Sequence, residues 1–151
     1  MADSYYLAAA NNGSAAGQYK VASNLFKSNT KKDHKAAMSL LVKSAKQNYP
    51  NSLYDLGLRL ANGNGLPKDP DRALQLFMRA AKKGHAKSQN ELGKRYQNGI
   101  GTSRNITEAI KWYREAGKNK QASAYTSLAV IYSKGDGVAK DKSKAAHYYE
   151  Q

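Results

Sequence analysis

A 36-residue period constrains this chain more than any other feature. Leu56, Leu92 and Leu128 stand 36 apart, as do Gly63, Gly99 and Gly135, and Gly65, Gly101 and Gly137. Ala73, Ala109 and Ala145 keep the same step. So do Leu76, Trp112 and Tyr148, the adjoining Phe77, Tyr113 and Tyr149, and the set Leu60, Tyr96 and Tyr132. A period of this length marks stacked supersecondary units, each too thin to bury its own apolar face alone.

Each period reads as two helices. In the middle copy, Ala86, Ser88, Leu92, Gly93 and Tyr96 fall near one face at a 3.6-residue period, which predicts a helix A over about 86–96. Gly99 suits the left-handed position that ends it, and Gly101 lets the chain reverse. Asn105 is the expected N-cap of helix B, with Glu108 three residues on as its capping-box partner. Asp33, Asp69 and Asp141 occupy the matching N-cap places, and Pro70 suits a first helical position. Ala109, Trp112, Tyr113 and Ala116 form the buried stripe of helix B. Small residues at Gly57, Gly93 and Ala129, and at Ala73, Ala109 and Ala145, let helices approach to about 8 Å.

The predicted organisation is one domain over 1–151. It comprises the end of a preceding helix B (1–13), a degenerate repeat (14–48), two full repeats (49–84 and 85–120) and an incomplete one (121–151). In the degenerate copy, helix A is expected around Ala15–Lys27, and the turn "SNTKK" (28–32) lacks glycine, so a different turn is expected there. The chain starts and stops inside a helix B without a polar closing face, which a solenoid end requires. This reads as a segment of a longer array, with Met1 supplied in cloning. A capping partner or homodimerisation at the uncapped ends is the alternative.

The charge is lopsided, with 25 Lys+Arg against 11 Asp+Glu and a formal net charge of +14. It is spread through the body rather than held on an arm: residues 13–48 carry +6, 49–84 carry +3, 85–120 carry +5 and 121–151 carry +1. Such a balance favours acidic partners. The absence of cysteine excludes a disulfide framework or a thiolate metal site. No stretch approaches the roughly 18 apolar residues of a membrane span, and the first residues lack the basic and apolar regions of a signal peptide. These properties fit cytoplasmic, periplasmic and secreted locations alike.

The loops "LANGNGLPKD" (60–69), "YQNGIGTSRN" (96–105) and "YSKGDGVAKD" (132–141) imitate a phosphate loop, with paired glycines and a basic residue behind them. They join helix to helix, follow no strand and occur in every full copy, so a structural turn accounts for them. His34, His85 and His147 lie apart, without a second ligand at a metal-binding spacing. His34 and His85 read as solvated residues at helix starts or turns, and His147 as a half-buried one. Neither metal nor cofactor is expected, and Trp112 reads as core.

Two stretches of the middle copy, "LGKRYQNGIG" (92–101) and "EAIKWYREAG" (108–117), resemble the Sel1-like repeats, relatives of the tetratricopeptide repeats. "LGLRLANGNG" (56–65), "RALQLFMRAAKKG" (72–84), "LAVIYSKGDGV" (128–138) and "KAAHYY" (144–149) carry the same pattern. Departures are Ala129 for Gly, Leu60 for Tyr, Thr102 where Leu66 and Val138 stand, and the glycine-free first turn. The resemblance implies an all-α fold: a right-handed α/α superhelix, a solenoid of antiparallel helix pairs with helix A lining the concave side. It also implies a non-catalytic scaffold or adaptor that binds a protein or peptide. Bacterial members serve in signalling, the envelope or host interaction, and eukaryotic ones in protein quality control. Cysteine-rich members have been linked to β-lactam binding or hydrolysis; the absence of cysteine makes the enzyme reading the poorer one for this chain.

Helix A residues outside the stripe are the candidate concave site. The copies align Tyr54, Asn90 and Thr126 in one row, and Asp55, Glu91 and Ser127 in the next. Then come Leu58, Lys94 and Val130, and last Arg59, Arg95 and Ile131. Asp55/Arg59 and Glu91/Arg95 are spaced as i,i+4 ion pairs. One reading is an ordinary solvated helix face. The other is a groove for a protein or peptide, acidic on the strength of the charge balance, anchored at Leu58, Val130 and Ile131. The alternative function is an envelope protein that binds peptidoglycan or a β-lactam. Nucleic acid ranks lower: Lys43, Lys46, Arg79, Lys82, Lys83, Lys111, Arg114, Lys118 and Lys120 fall on helix B or the turn after it, but the aromatics needed for base stacking sit in core registers.

Overall fold

The computed structural model of the protein describes residues 2–151; Met1 lies outside them. The regular structure among these residues is helical: α1 (Ala2–Asn11), α2 (Ala15–Leu25), α3 (Lys31–Lys46), α4 (Pro50–Asn62), α5 (Pro70–Lys82), α6 (Ala86–Asn98), α7 (Ile106–Lys118), α8 (Ala122–Lys134) and α9 (Lys142–Tyr149). The chain divides into two compact units, Met1–Asp69 and Pro70–Gln151.

In the first unit each helix packs on the next, α1 on α2, α2 on α3 and α3 on α4. Ala22, Ala37, Leu41, Ala45, Leu53 and Leu60 are buried between them. Gly17 has no room for a side chain, because a Cβ there would lie 2.7 Å from the backbone nitrogen of Ala10. Where α3 meets α4, Ser44 and Ser52 are fully buried and share a hydrogen bond of 2.5 Å, while Ser44 Oγ also donates to the carbonyl of Ala15 at 2.7 Å. The two hydroxyls satisfy each other, so neither carries the penalty of an unmet buried polar group.

The glycine-free turn corrects one assignment. Asp33 is not the N-cap of α3; the cap lies three residues earlier, at Thr30, whose hydroxyl accepts from the N–H of Asp33 at 3.1 Å, and the helix starts at Lys31. Ser28 Oγ donates to the Asp33 carboxylate at 2.5 Å, and this bond holds that carboxyl below its ordinary range. Ser28, Thr30 and Asp33 thus close a hydrogen-bonded turn in place of the glycine turn, with the Thr30 N–H donating to Ser28 Oγ at 3.3 Å. Helix α2 stops at Leu25, two residues short of the expected Lys27, with Phe26 in a right-handed conformation.

The second unit repeats one joint. Helix α6 runs through Asn98 and ends at Gly99, whose φ of 65° is left-handed and whose N–H donates to the carbonyl of Arg95. The same cap recurs at Gly63 and Gly135. Asn105 and Asp141 cap α7 and α9 through side-chain oxygens that accept from the N–H groups of Glu108 and Lys144. Gly93 opens the space that the Tyr113 ring fills, since a Cβ there would stand 2.5 Å from Tyr113 Cδ1. Around that ring Ala109, Ala116, Ala124, Leu128 and Ile131 form a continuous buried cluster, with Tyr96, Tyr125 and Tyr148 packed on its edge. The turns from helix B to helix A also share a geometry: Asn48, Gly84 and Lys120, at successive 36-residue steps, have φ of 60°, 84° and 70°.

Candidate binding surface

The turn glycines are structural. A Cβ on Gly101 would lie 2.6 Å from the carbonyl oxygen of Pro70, and one on Gly137 2.6 Å from Ile106 Cγ1. The backbone around Gly99 is taken up by Arg104 and Thr102. Asp136, between Gly135 and Gly137, accepts from Gln97 Nε2 at 3.1 Å and from the guanidinium of Arg104. A carbonyl oxygen and a carboxylate beside these turns repel an anion rather than cradle one.

The histidines divide differently from expectation. His85 is the N-cap of α6, its ring Nδ1 accepting from the N–H of Ser88 at 3.3 Å and lying 2.8 Å from Ser88 Oγ. Burial, and next Lys87, push its pKa below the ordinary 6.5. His147 is exposed rather than half-buried. His34 is exposed, with Nε2 2.6 Å from the carbonyl oxygen of Ser28. Residues 28–31 spell Ser-x-x-Lys, the spacing of a β-lactam-reactive serine. Here the Ser28 hydroxyl donates to the Asp33 carboxylate within the turn that starts α3.

The helix A rows are placed unevenly. In the first unit, Tyr54, Asp55, Leu58 and Arg59 on α4 are half-buried. Asp55 acts on Arg59 electrostatically, as the spacing suggested, while the Arg59 guanidinium lies over the Phe26 ring, 3.4 Å from its centre, and Asp55 hydrogen-bonds Tyr19. In the second unit, α6 packs beside α8. Lys94 and Thr126 are exposed there, and Glu91, Ser127 and Val130 half-buried. Glu91 receives Arg95 Nη2 at 3.3 Å and Lys94 Nζ at 3.8 Å.

Three candidates are not surface residues. Ile131 is fully buried within the core cluster, Asn90 is 6% exposed, and the Arg95 side chain is 7% exposed with its guanidinium 4.8 Å from the Phe77 ring centre. The shared register explains two of them. Arg59, Arg95 and Ile131 occupy one place in successive repeats, and there each arginine sets its guanidinium against an aromatic ring where isoleucine packs by its branched stem. Arg95 Nε and Nη1, and Asn90 Oδ1, are buried with no hydrogen-bond partner among the described residues. The basic residues of helix B (Lys43, Lys46, Lys111, Arg114, Lys118 and Lys120 among them) are exposed. Trp112 is buried, as its register requires.

Paired helices at a fixed step, joined by glycine turns and locked by aromatics, define an all-α helical-repeat protein of the α/α superhelix class. The Sel1 repeat matches residues 15–49, 50–85, 86–120 and 122–151, and the chain belongs to that family. Among solved structures it is similar to a Sel1 repeat protein from Oxalobacter formigenes, at 31% identity over 92% of this chain and 58% of that one, with a TM-score of 0.84. It is also similar to c5321, a protective antigen of uropathogenic Escherichia coli strains with an SLR fold, at 33% identity, 98% and 32% coverage and a TM-score of 0.90. Cysteine-rich protein B of Helicobacter pylori aligns at 25% identity over 80% of this chain and 87% of that one, with a TM-score of 0.64. The chain spans about a third to just over half of the first two proteins. No curated protein matches it closely. Among the described residues no helix is long and apolar enough to cross a membrane.

Proposed function

We propose that the chain is a non-catalytic scaffold that holds a protein or peptide on its helix A residues. The observation that carries this reading is the contrast within α6 and α8. The buried registers Ser88/Ala124, Leu92/Leu128, Gly93/Ala129 and Arg95/Ile131 repeat from copy to copy, while Lys94, Thr126 and Val130 put a cation, a hydroxyl and an apolar group on adjacent helices outside those registers. A mixed surface of this kind suits a polar rim around an apolar anchor. Family membership supports protein binding as the general role.

Photocrosslinking tests it. A benzophenone amino acid at Thr126 or Lys94 should give discrete protein adducts in cells, and one at Lys111 on α7 should not. Adducts confined to position 111 would move the binding face to helix B.

A further inference from the structure

The first unit carries a second recognition feature, on α3 rather than on the helix A rows. A groove of about 510 Å³ runs along this helix, closed by Phe26, Arg59 and the turn at Asn64 and Gly65. Its floor is apolar, formed by Phe26, Met38 and Val42. Its edges are cationic: Lys35, Lys43 and Lys46 line it from α3, and Arg59 faces them from α4. No aspartate or glutamate lines it. Among the described residues Lys35, Lys43 and Lys46 close no salt bridge, and Asp55, one turn back on α4, acts on Arg59.

We propose that this groove binds an extended acidic peptide carrying alternate apolar side chains. Three features select that occupant. Lys43 and Lys46, one turn apart on α3 with no carboxylate lining the groove, repel, and a ligand carboxylate relieves that repulsion. Arg59, laid flat on Phe26 at 3.4 Å, keeps its in-plane N–H groups for a carboxylate, the arrangement in which an arginine fork binds best. The apolar floor has no use for a fully hydrophilic polyanion and rewards a buried leucine or phenylalanine.

Length points the same way. From Lys35 to Lys46 the helix advances about 16 Å at 1.5 Å per residue. An extended chain covers that distance in about five residues. Alternation then sends side chains by turns to the floor and to the cationic edges. This inference does not rest on the helix A reading. It shares only Arg59 with it, so its test uses other residues.

The probe is a fluorescein-labelled hexapeptide of alternating glutamate and leucine, followed by fluorescence anisotropy with the full chain. Three results are expected. The peptide binds at least tenfold tighter than the same-charge peptide with glycine in place of leucine. Lys43→Glu/Lys46→Glu weakens it at least tenfold, with Lys43→Gln/Lys46→Gln intermediate and both melting like the parent. Lys111→Glu/Lys118→Glu leaves it unchanged. In methyl-labelled protein the Met38 resonance shifts on titration and that of Met78 does not. Equal affinity for the glycine peptide, tighter binding of a DNA duplex, or a shift at Met78 without one at Met38 would each overturn the proposal. Lys94→Glu must not change the peptide affinity, so failure here leaves the helix A reading standing, and the reverse.

Discussion

Replacing Gly101 by alanine tests whether the paired turn glycines exist for packing. Two penalties act on the substitution. A left-handed φ of 72° costs an alanine about 1–2 kcal/mol, and the reduced freedom of the unfolded chain returns about 0.4–1 of that. The new Cβ also meets the carbonyl oxygen of Pro70 at 2.6 Å and its carbon at 3.0 Å. These are backbone atoms at the start of α5 and cannot swing aside, so overpacking adds about 1–3 kcal/mol. Gly84→Ala is the internal control: its φ is 84°, equally left-handed, but nothing lies within 4 Å of the added Cβ. Gly101→Ala should therefore lose about 2 kcal/mol more than Gly84→Ala, or about 4–8 °C in melting temperature for a chain of this size. Urea unfolding followed by circular dichroism reads the difference, with unchanged slopes required of both variants. Equal losses would show that backbone conformation alone demands the glycine. A Gly101→Ala variant as stable as the parent, with the parent stabilised by added phosphate, would restore the anion-loop reading.

His85→Asn should keep the cap of α6 and abolish a pH response. The folded protein holds the imidazole neutral below its ordinary 6.5, so its contribution is complete above that value and is lost as pH falls towards the depressed folded pKa; melting temperatures of parent and variant should diverge only on the acid side. Tyr113 titrates at about 12 because burial opposes the phenolate, so its contribution is intact below pH 10 and declines as pH rises towards 12, which absorbance titration at 295 nm, a tyrosinate wavelength, will follow. Tyr113→Phe removes the 2.8 Å bond to Gln97 Oε1 and should cost about 1 kcal/mol by urea unfolding. Arg95→Glu should destabilise by about 3–5 kcal/mol, since it places a carboxylate in a buried site beside Glu91, whereas exposed Lys94→Glu should stay within about 0.5 kcal/mol. Equal melting of these two variants would show that Arg95 is not buried.

Periodicity made the architecture readable because a contact made once is made again 36 residues later. Gly99 as C-cap, and Asn105 and Asp141 as N-caps, depend only on residues within one turn, and each stands where its local chemistry puts it. Asp33 escaped because the first turn lost its glycines, so counting back by 36 gave the right helix and the wrong cap. Arg95 and Ile131 escaped for a different reason. A helix within a stack touches neighbours on more than one side, so its buried arc exceeds the single stripe that a 3.6-residue pattern reveals. A long cationic side chain at the margin of that arc reads as surface until its aromatic platform is seen. The groove on α3 was hidden for want of topology: Phe26, Met38 and Arg59 belong to three helical segments that only folding brings together.

The three left-handed residues between hairpins are not equivalent. Glycine at position 84 adopts its φ of 84° freely, asparagine at 48 pays a little, and lysine at 120 bears the full penalty of about 1–2 kcal/mol. The links of the chain are thus of graded strength, and within the second unit the hairpin of α8 and α9 hangs from the weaker one. Under heat or mechanical pull this hairpin should peel away first, giving the unit a built-in direction of unravelling.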